Sequence, residues 1–469
     1  MIARQTLPVA IVGAGPIGLA AAAQLVQRGL QPLVLEQGAS IGTALRAWGH
    51  VRVFSPWRYV LEAASVELLA RHGWQAPDPE ELPTGSEIVD RYLQPLADLP
   101  ELAPHIRTGC TVTAIARLGM DKMKTPGRDA TPFQIRYVDG QGHEHIALAA
   151  AVLDASGTWS RPNPLGTDGL PAIGEADVAG LIAYGLPDVL GAEREHYAGR
   201  SILVVGSGHS AINVVLALMD LRQTSPETSV TWALRRNRIE RLLGGGLNDQ
   251  LPARGSLGLA AQEAIAAEKL QLLAPFSVQA VRQDGGRLRV DALHDGKPDE
   301  RTFDRIVVAT GFRPDLDMLR ELRLDLDPAV EAPRRLAPMI DPNLHSCGSV
   351  PPHGVLELAQ PESGFFIIGS KSYGRAPTFL MATGYEQVRS VVAELAGDHH
   401  AARQVQLVLP ETGVCSAAPS QETAGCCGGP APAGTDACCK ADLEAKQEGE
   451  PGCGCSDAAP RPSQMEPAE

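Results

Sequence analysis

The stretch Val9–Glu36, VAIVGAGPIGLAAAAQLVQRGLQPLVLE, constrains the fold of this chain more than any other part of its sequence. Gly13 permits a tight strand-to-helix turn, Gly15 lets a pyrophosphate approach the backbone, and Gly18 lets the helix pack closely on the strand. Glu36 ends the next apolar run, where a carboxylate can accept a hydrogen bond from a ribose hydroxyl. The pattern predicts a strand, a turn and a helix that bind a dinucleotide. An ordinary glycine-rich turn is the alternative.

A second motif of the same kind occupies Ser201–Arg236. The apolar segment SILVV runs into GSGHSA, in which Gly206 and Gly208 are followed by an alanine in the third position. The strand expected after the helix ends in Arg235 and Arg236. An acid there would favour NAD through the ribose 2′-hydroxyl, whereas arginine suits the 2′-phosphate of NADP. The sequence therefore favours NADPH, with two solvated arginines at a strand end as the alternative.

Length and charge limit the classes of protein that fit. A chain of 469 residues is too long for one hydrophobic core, so two or three domains are expected. The net charge of −14 disfavours nucleic acid and anionic membranes as partners, since both need basic patches. The uncharged run between Arg4 and Arg28 is broken by Pro16 and three glycines, which argues against a membrane span or an export signal. We expect a soluble, cytoplasmic protein.

The remaining pattern predicts an α/β fold with two Rossmann-like dinucleotide-binding domains, a β-meander insertion and a disordered C-terminal tail. Three β segments, Cys110–Arg117, Phe133–Val138 and His143–Ala150, predict the meander. Ala260–Leu273 predicts a helix. The expected boundaries are residues 1–165 and 300–400 for the first domain, 166–299 for the second and 401–469 for the tail.

The tail holds seven of the nine cysteines and carries ten acids against four bases over residues 401–469. The tail has few large apolar residues, so it cannot bury enough apolar area to offset the entropy of ordering its backbone. Closely spaced thiolates chelate soft ions such as trivalent arsenic, copper(I), zinc or mercury. A zinc-structured knob and an inert or merely oxidising tail are the alternatives. The candidate metal ligands are Cys426, Cys427, Cys438, Cys439, Cys453 and Cys455.

The two glycine motifs, together with the strand ends DASG and ATG, resemble those of the two-dinucleotide-binding flavoproteins. GAGPIG paired with GSGHSA, and the late strand GFFIIG, resemble the flavin-containing monooxygenases. More narrowly, GSGHSAIN, SGTWSRPNPLG and KSYGRAPTFLMATGYEQVRS look like the flavin monooxygenases of bacterial arsenic-resistance operons. The resemblance implies FAD on the first motif, NADPH on the second, and molecular oxygen as a co-substrate.

Two departures keep other functions open. The FxGxxxHxxxW/Y signature of flavin monooxygenases is absent before the second motif, where Tyr184, Gly185, His196 and Tyr197 stand at the wrong spacing. Dithiol flavoenzymes carry CxxxxC or CxxC beside the flavin, and neither occurs there in this chain. Cys110 and the other isolated cysteine, Cys347, are expected to be small core residues.

The candidate site residues fall into two groups. Tyr373 and Arg375 are expected near the isoalloxazine, and Arg46, Trp48 and Trp57 either line the substrate face or pack under a loop. The predicted cofactor-binding residues are Gly13, Gly15, Pro16, Gly18, Glu36, Arg46, Gly157, Gly206, Ser207, Gly208, His209, Ser210, Ala211, Arg235, Arg236, Thr310, Gly311 and Gly369.

The leading hypothesis is a FAD-dependent NADPH oxidoreductase of the flavin monooxygenase type that oxygenates a soft nucleophile such as trivalent arsenic. The first alternative is an NADPH-driven thiol, metal or metalloid reductase that uses the C-terminal cysteines. The second is a flavin-bound protein that senses redox state or metal. The expected partners are a small-molecule or metalloid substrate and molecular oxygen.

Overall fold

The computed structural model describes residues 6–236, 252–266, 270–344, 350–377 and 379–407. The strands are β1 (Val9–Val12), β2 (Pro32–Leu35), β3 (Ile106–Arg107), β4 (Thr111–Arg117), β5 (Phe133–Val138), β6 (Glu144–Ala149), β7 (Ala151–Asp154), β8 (Ile182–Tyr184), β9 (Ser201–Val205), β10 (Ser229–Ala233), β11 (Gln271–Leu273), β12 (Phe276–Asp284), β13 (Arg287–His294), β14 (Lys297–Phe303), β15 (Arg305–Val308) and β16 (Phe365–Ile367). The helices are α1 (Pro16–Gln27), α2 (Thr43–Ala47), α3 (Ala63–Arg71), α4 (Gly85–Ile88), α5 (Gln94–Ala97), α6 (Arg194–Tyr197), α7 (His209–Thr224), α8 (Pro252–Ala266), α9 (Ala337–Ile340), α10 (Val355–Leu358), α11 (Met381–Leu395) and α12 (His399–Arg403).

A parallel sheet of order β16-β7-β1-β2-β3 forms the centre of the first domain. All four residues of β1 are buried, as expected for a β-branched strand covered on both faces. Val12 at the end of β1 pairs with Leu35 on one side and Asp154 on the other, so the carboxyl ends of these strands form one edge. Dinucleotides bind at such an edge.

The predicted β-meander is confirmed. Strands β4, β5 and β6 form an antiparallel sheet that closely matches the three predicted segments. Its inward residues Ile115, Phe133 and Ile135 share a hydrophobic core with Val12 and Leu35 of the parallel sheet. On the other face, the alanines of α1 are fully buried and let this helix pack against α3 and α11.

The second parallel sheet has the order β11-β10-β9-β15-β8, and an antiparallel sheet of β12, β13 and β14 lies beside it in sequence. Two expectations need correction. The helix predicted over Ala260–Leu273 is wrong at its C-terminal end, because α8 ends at Ala266 and Gln271–Leu273 is a strand paired with β10. Strand β15 pairs with β9, so the second sheet extends to Val308, beyond the boundary expected at residue 300.

Two chain segments connect the sheets and pair with one another. The Asn163 N–H donates to Gly311 O at 2.9 Å, and the Arg313 N–H donates to Arg161 O at 2.9 Å. These paired segments join the two parallel sheets. The two sheets with their helices confirm the predicted α/β fold with two Rossmann-like domains.

Among the described residues, no helix combines the length and apolarity that crossing a membrane requires. The tail cysteines predicted to bind metal, together with Cys347, lie outside the described residues.

Candidate functional site

The first glycine motif folds into an open phosphate cradle. Gly13 has a φ of +100°, and a Cβ there would lie 2.9 Å from Ala155 O. A Cβ on Gly18 would lie 2.0 Å from Gly13 O, so the contact of helix with turn also excludes a side chain. Helix α1 begins at Pro16, and its N-cap residue, Gly15, has no side chain to cap the helix. Open space beside Gly15 leaves the first N–H groups of α1 accessible to a pyrophosphate, so these residues fit FAD.

Glu36 stands at the end of β2, beside this cradle. Its carboxylate is buried, and it accepts hydrogen bonds from the Ala14 N–H at 2.7 Å and the Gly38 N–H at 2.8 Å. These bonds hold the carboxylate against the strand-to-helix turn. Each carboxylate oxygen has a further lone pair, so the predicted bond from a ribose hydroxyl is compatible with this arrangement.

The second cradle repeats the geometry on the other sheet. Gly206 has a φ of +138°, and a Cβ there would lie 2.2 Å from Ala309 O. Helix α7 begins at His209 after Gly208, which has open space where a side chain would stand and no side-chain cap. The Trp232 indole N–H donates to Gly206 O at 2.8 Å and fixes the turn. These residues fit the pyrophosphate of a second dinucleotide.

Arg235 and Arg236 follow β10 at the carboxyl edge of the second sheet. Both residues are exposed, and Arg235 donates from Nη1 to Thr167 O at 3.2 Å. Their assignment to a 2′-phosphate stays a prediction, and the position at the edge where α7 begins is the one that it requires.

Replacing Arg235 and Arg236 together by Ser is expected to raise the KM for NADPH about 10- to 100-fold, the worth of one or two charge-assisted hydrogen bonds. The KM for NADH is expected to change little, because NADH lacks the 2′-phosphate. Steady-state oxidation of both coenzymes checks this. Arg200→Ser is the control, because Arg200 is exposed at the opposite edge of the same sheet. Equal losses for NADPH and NADH would contradict the assignment.

The three candidates on the loop after β2 have different surroundings. Arg46 forms an ion pair with Asp90 at 2.9 Å and is partly exposed. Trp48 is partly buried against the core of the first domain. Trp57 is fully buried, with Arg91 over its ring at 5.4 Å and no acceptor for its indole N–H among the described residues. Their roles at a flavin stay predictions.

The two candidates after β16 differ in exposure. Tyr373 is buried, with its ring centroid 5.6 Å from that of His353 and 5.2 Å from that of Phe379. Burial raises the pKa of the Tyr373 hydroxyl well above its ordinary value. Arg375 is exposed, and its backbone N–H donates to Val330 O at 2.7 Å. Tyr373 is therefore a neutral packing or hydrogen-bonding group, and Arg375 is the cation free to reach solvent.

Sequence reasoning missed a buried ion pair beside the first cradle. Asp154 Oδ2 lies 2.6 Å from Lys371 Nζ, and both side chains are fully buried. Lys371 donates to Ser156 Oγ at 3.0 Å, and Ser156 donates to Asp154 Oδ1 at 2.6 Å. The Ser156 Cα lies 3.1 Å from the position of a Cβ on Gly13. The pair thus fixes the wall that faces the Gly13 turn. The single charged residue that ends the buried strand AVLD was the available signal.

A cleft of about 330 Å³ separates the loop of residues 50–54 from α7 and α8. Phe54 lines this cleft, and its ring centroid lies 5.4 Å from that of His209 at the start of α7. A wall residue of the cleft therefore contacts the start of the helix whose N-terminus forms the second cradle. The walls of the cleft come from distant segments of the chain, so no local pattern indicated it.

Cys110 is the only cysteine within the described ranges, and it is buried. Its backbone N–H donates to Glu36 O at 2.8 Å, which places it beside Glu36 at the end of β2. Burial raises the pKa of its thiol, which therefore stays protonated at neutral pH. The prediction of a core cysteine stands for Cys110.

Comparison with known proteins gives relatives of more than one activity. The indole-3-pyruvate monooxygenase YUCCA1 of Oryza sativa subsp. japonica is 30% identical over 212 residues, 44% of this chain and 44% of that protein. The match thus spans less than half the length of that relative. The bacillithiol disulfide reductase Bdr of Bacillus cereus has a similar fold, with a TM-score of 0.60 at 17% identity over 83% of this chain and 99% of that one. The cadaverine monooxygenase DfoA of Erwinia amylovora, solved with FAD, gives 0.58 at 14% identity over 86% and 98%.

A family model, described as pyridine nucleotide-disulphide oxidoreductase, matches residues 7–361. This range includes both glycine cradles, both parallel sheets except β16, and the β-meander. The predicted oxidoreductase class agrees with this match, as do FAD and NADPH as its two cofactors. The sequence match and the two cradles lead to one assignment: the chain belongs to the pyridine nucleotide-disulphide oxidoreductase family.

Proposed function

We propose that this protein is a FAD- and NADPH-dependent oxidoreductase of the flavin monooxygenase type, with trivalent arsenic as its leading substrate. One observation carries the choice of an oxygenase over an internal dithiol relay. Two open glycine cradles are present, but the described residues include one cysteine, which is buried and hydrogen-bonded to Glu36 O. An internal relay needs two thiols within reach of the flavin.

The roles of the protein groups follow from the two cradles. The N-termini of α1 and α7 bind the two pyrophosphates, Glu36 binds the ribose of FAD, and Arg235 with Arg236 selects NADPH. FAD, when bound, supplies the redox chemistry between NADPH and the acceptor, while the protein positions both nucleotides and excludes water.

The proposed reaction balances with oxygen as the second acceptor. NADPH and one proton supply two electrons and two hydrogens. One atom of O2 is transferred to the trivalent arsenic, which is oxidised to the pentavalent state, and the other atom leaves as water. A trivalent arsenical has a soft lone pair, so it accepts an electrophilic oxygen atom as sulfur and nitrogen nucleophiles do.

The C-terminal cysteines support arsenic as the element. Six of them form the closely spaced pairs that soft metalloids prefer, although they lie outside the described residues. A tethered thiol cluster would raise the local concentration of arsenic near the active site. The resemblance of KSYGRAPTFLMATGYEQVRS to flavin monooxygenases of arsenic-resistance operons supports the same substrate.

Oxygen-dependent NADPH oxidation tests this proposal. Arsenite or methylarsenite is expected to increase the steady-state rate at least tenfold over the substrate-free oxidase rate, with one NADPH consumed per pentavalent product. Product is quantified by chromatography with elemental detection, and an argon-purged sample is the control. Turnover that neither arsenical stimulates would overturn the substrate assignment.

The cysteine-rich tail also favours a second function, an NADPH-driven reductase of thiols, metals or metalloids. That function predicts activity under argon which is lost when the chain is cut after Leu409. The proposed oxygenase predicts the reverse, a dependence on O2 that survives the cut with a higher KM for arsenic. A redox or metal sensor predicts no more than one turnover per flavin.

A further inference from the structure

We propose that the cleft between the loop of residues 50–54 and helices α7 and α8 is the substrate pocket, and that it takes an uncharged small organic molecule with an apolar body. The inference rests on the proposed function, because it names the substrate class of that same enzyme. A soft nucleophile bearing an alkyl or aryl group, such as a methylated trivalent arsenical, fits this class better than inorganic arsenite does.

The size of the cleft supports a small organic ligand. Its volume of about 330 Å³ lies at the lower end of the range for small-molecule sites, which is about 300–1,000 Å³. A four-atom inorganic acid would leave most of this volume empty. Domain interfaces are a preferred place for such sites, and this cleft has the FAD-domain loop on one side and the NADPH domain on the other.

The walls of the cleft are mainly apolar. Of its 17 lining residues, 12 are apolar and five are polar or charged. The apolar side chains come from all the surrounding segments and include Val53, Phe54, Leu186, Val214, Ala217 and Leu257. Burying an apolar body against them is favourable because it removes apolar surface from water.

Of the five polar or charged residues, His50 is exposed, and the other four direct hydrogen bonds into the protein. Asp188 accepts from the Gly191 and Ala192 N–H groups at 3.0 and 2.9 Å. Asn213 donates to His209 O at 3.0 Å, and Ser256 donates to Ala253 O at 2.9 Å.

The fourth is Arg52, which donates to Leu82 O and lies 3.8 Å from Glu87. Asp188 lines the cleft, and the Glu87 carboxylate lies 3.8 Å from Arg52, the one arginine among the lining residues. An anionic ligand would therefore lose water beside the Asp188 carboxylate and share the Arg52 cation with Glu87, which is costly. This arrangement selects against an anionic ligand, and the apolar walls of the cleft favour a ligand without charge.

Methyl phenyl sulfide is a suitable probe because it is uncharged, aromatic and carries a soft sulfur, yet it does not react with thiols. Equilibrium dialysis with the full-length FAD-loaded protein and NADP+ measures its Kd without turnover. The charged analogue 4-(methylthio)benzoate has nearly the same shape. We expect the neutral sulfide to bind at least tenfold more tightly than the carboxylate.

Ala217→Trp fills the cleft from α7 and is expected to weaken binding of methyl phenyl sulfide at least tenfold. Gln223→Trp is the matched control, because Gln223 is exposed on the same helix outside the cleft; it should leave both the Kd and the basal NADPH oxidation unchanged. Circular dichroism and FAD content establish that both variants fold.

Equal binding of the two probes, or an unchanged Kd in Ala217→Trp, would overturn the pocket assignment. These outcomes are separate from failure of the proposed function. Binding that Ala217→Trp abolishes, without any oxygenated product, would support the pocket and contradict the monooxygenase. Oxygenation of methyl phenyl sulfide that is insensitive to Ala217→Trp would support the monooxygenase and contradict the pocket.

Discussion

A Gly15→Asp variant is expected to fold normally and to lose FAD. Gly15 has a φ of −83°, which any residue adopts, and a Cβ there would have no neighbour within 4 Å. Aspartate is a preferred N-cap and its charge favours a helix N-terminus, so the stability of α1 should be kept. The same carboxylate would stand where the pyrophosphate binds. Two like charges about 4 Å apart repel by about 4 kcal/mol near a protein surface. Repulsion of this size between the carboxylate and the pyrophosphate raises the Kd for FAD about a thousandfold.

The second cradle supplies a matched control. Gly208 likewise precedes a helix without a side-chain cap, has a φ of −92° and has open space at its Cβ position. Gly208→Asp should therefore retain FAD and its yellow colour, while the KM for NADPH rises by a similar factor. Flavin absorbance after gel filtration and stopped-flow reduction by NADPH measure the two effects. A yellow Gly15→Asp protein with native FAD affinity would contradict the placement of FAD on the first motif.

Among the substitutions proposed for this protein, Glu362→Gln is expected to cause the largest loss of stability, about 3–5 kcal/mol in the free energy of unfolding. The Glu362 carboxylate is fully buried and accepts from Arg117 Nε at 2.7 Å and from Arg128 Nη2 at 2.7 Å. Both guanidinium groups are buried, and that of Arg117 lies 3.8 Å above the Phe133 ring. Removal of the carboxylate charge takes a shared counter-ion away from two buried cations. This trio joins the β-meander to the segment before β16.

Chemical denaturation at pH 7 measures this loss, and Glu67→Gln is the control. Glu67 pairs with Arg71 on the surface of α3, where both side chains are more than half exposed. Such a pair contributes about 0.3–0.5 kcal/mol, so the two variants should differ about tenfold in effect. A loss below 1 kcal/mol in Glu362→Gln would show that the trio is dispensable.

The same carboxylate predicts a dependence of stability on pH. Burial alone would raise the pKa of Glu362, but hydrogen bonds from Arg128 and Arg117 hold it below the ordinary value. The stabilisation is therefore complete above the unfolded-state pKa, about 4.3, and is lost as the pH falls through the lower folded-state pKa. Glu362→Gln should lack this acid-dependent component.

Local sequence patterns predicted the parts of the fold that depend on nearby residues. The glycine spacing of both motifs predicted two strand-turn-helix units, because the backbone at Gly13 and Gly206 admits no side chain in those turns. Three successive β segments predicted the meander, and its central strand β5 buries alternate residues.

The errors arose where long-range pairing overrode local preference. Gln271–Leu273 continues an apolar pattern that favours helix, but it forms a strand because the exposed edge of β10 pairs with it. Strand β15 belongs to the second sheet because β9 and β8 flank it, and nothing within RIVV distinguishes one parallel sheet from another.

Local sequence predicted both phosphate cradles, because each turns on a glycine, Gly13 or Gly206, where the backbone leaves no room for a side chain. Only the packing of elements far apart in the chain brings distant side chains into contact. It paired Asp154 with Lys371, placed Glu362 between two arginines, and assembled an apolar cleft from a loop and two helices. Such contacts depend on how whole elements pack, and the free energy that selects them is shared among residues far apart in the chain.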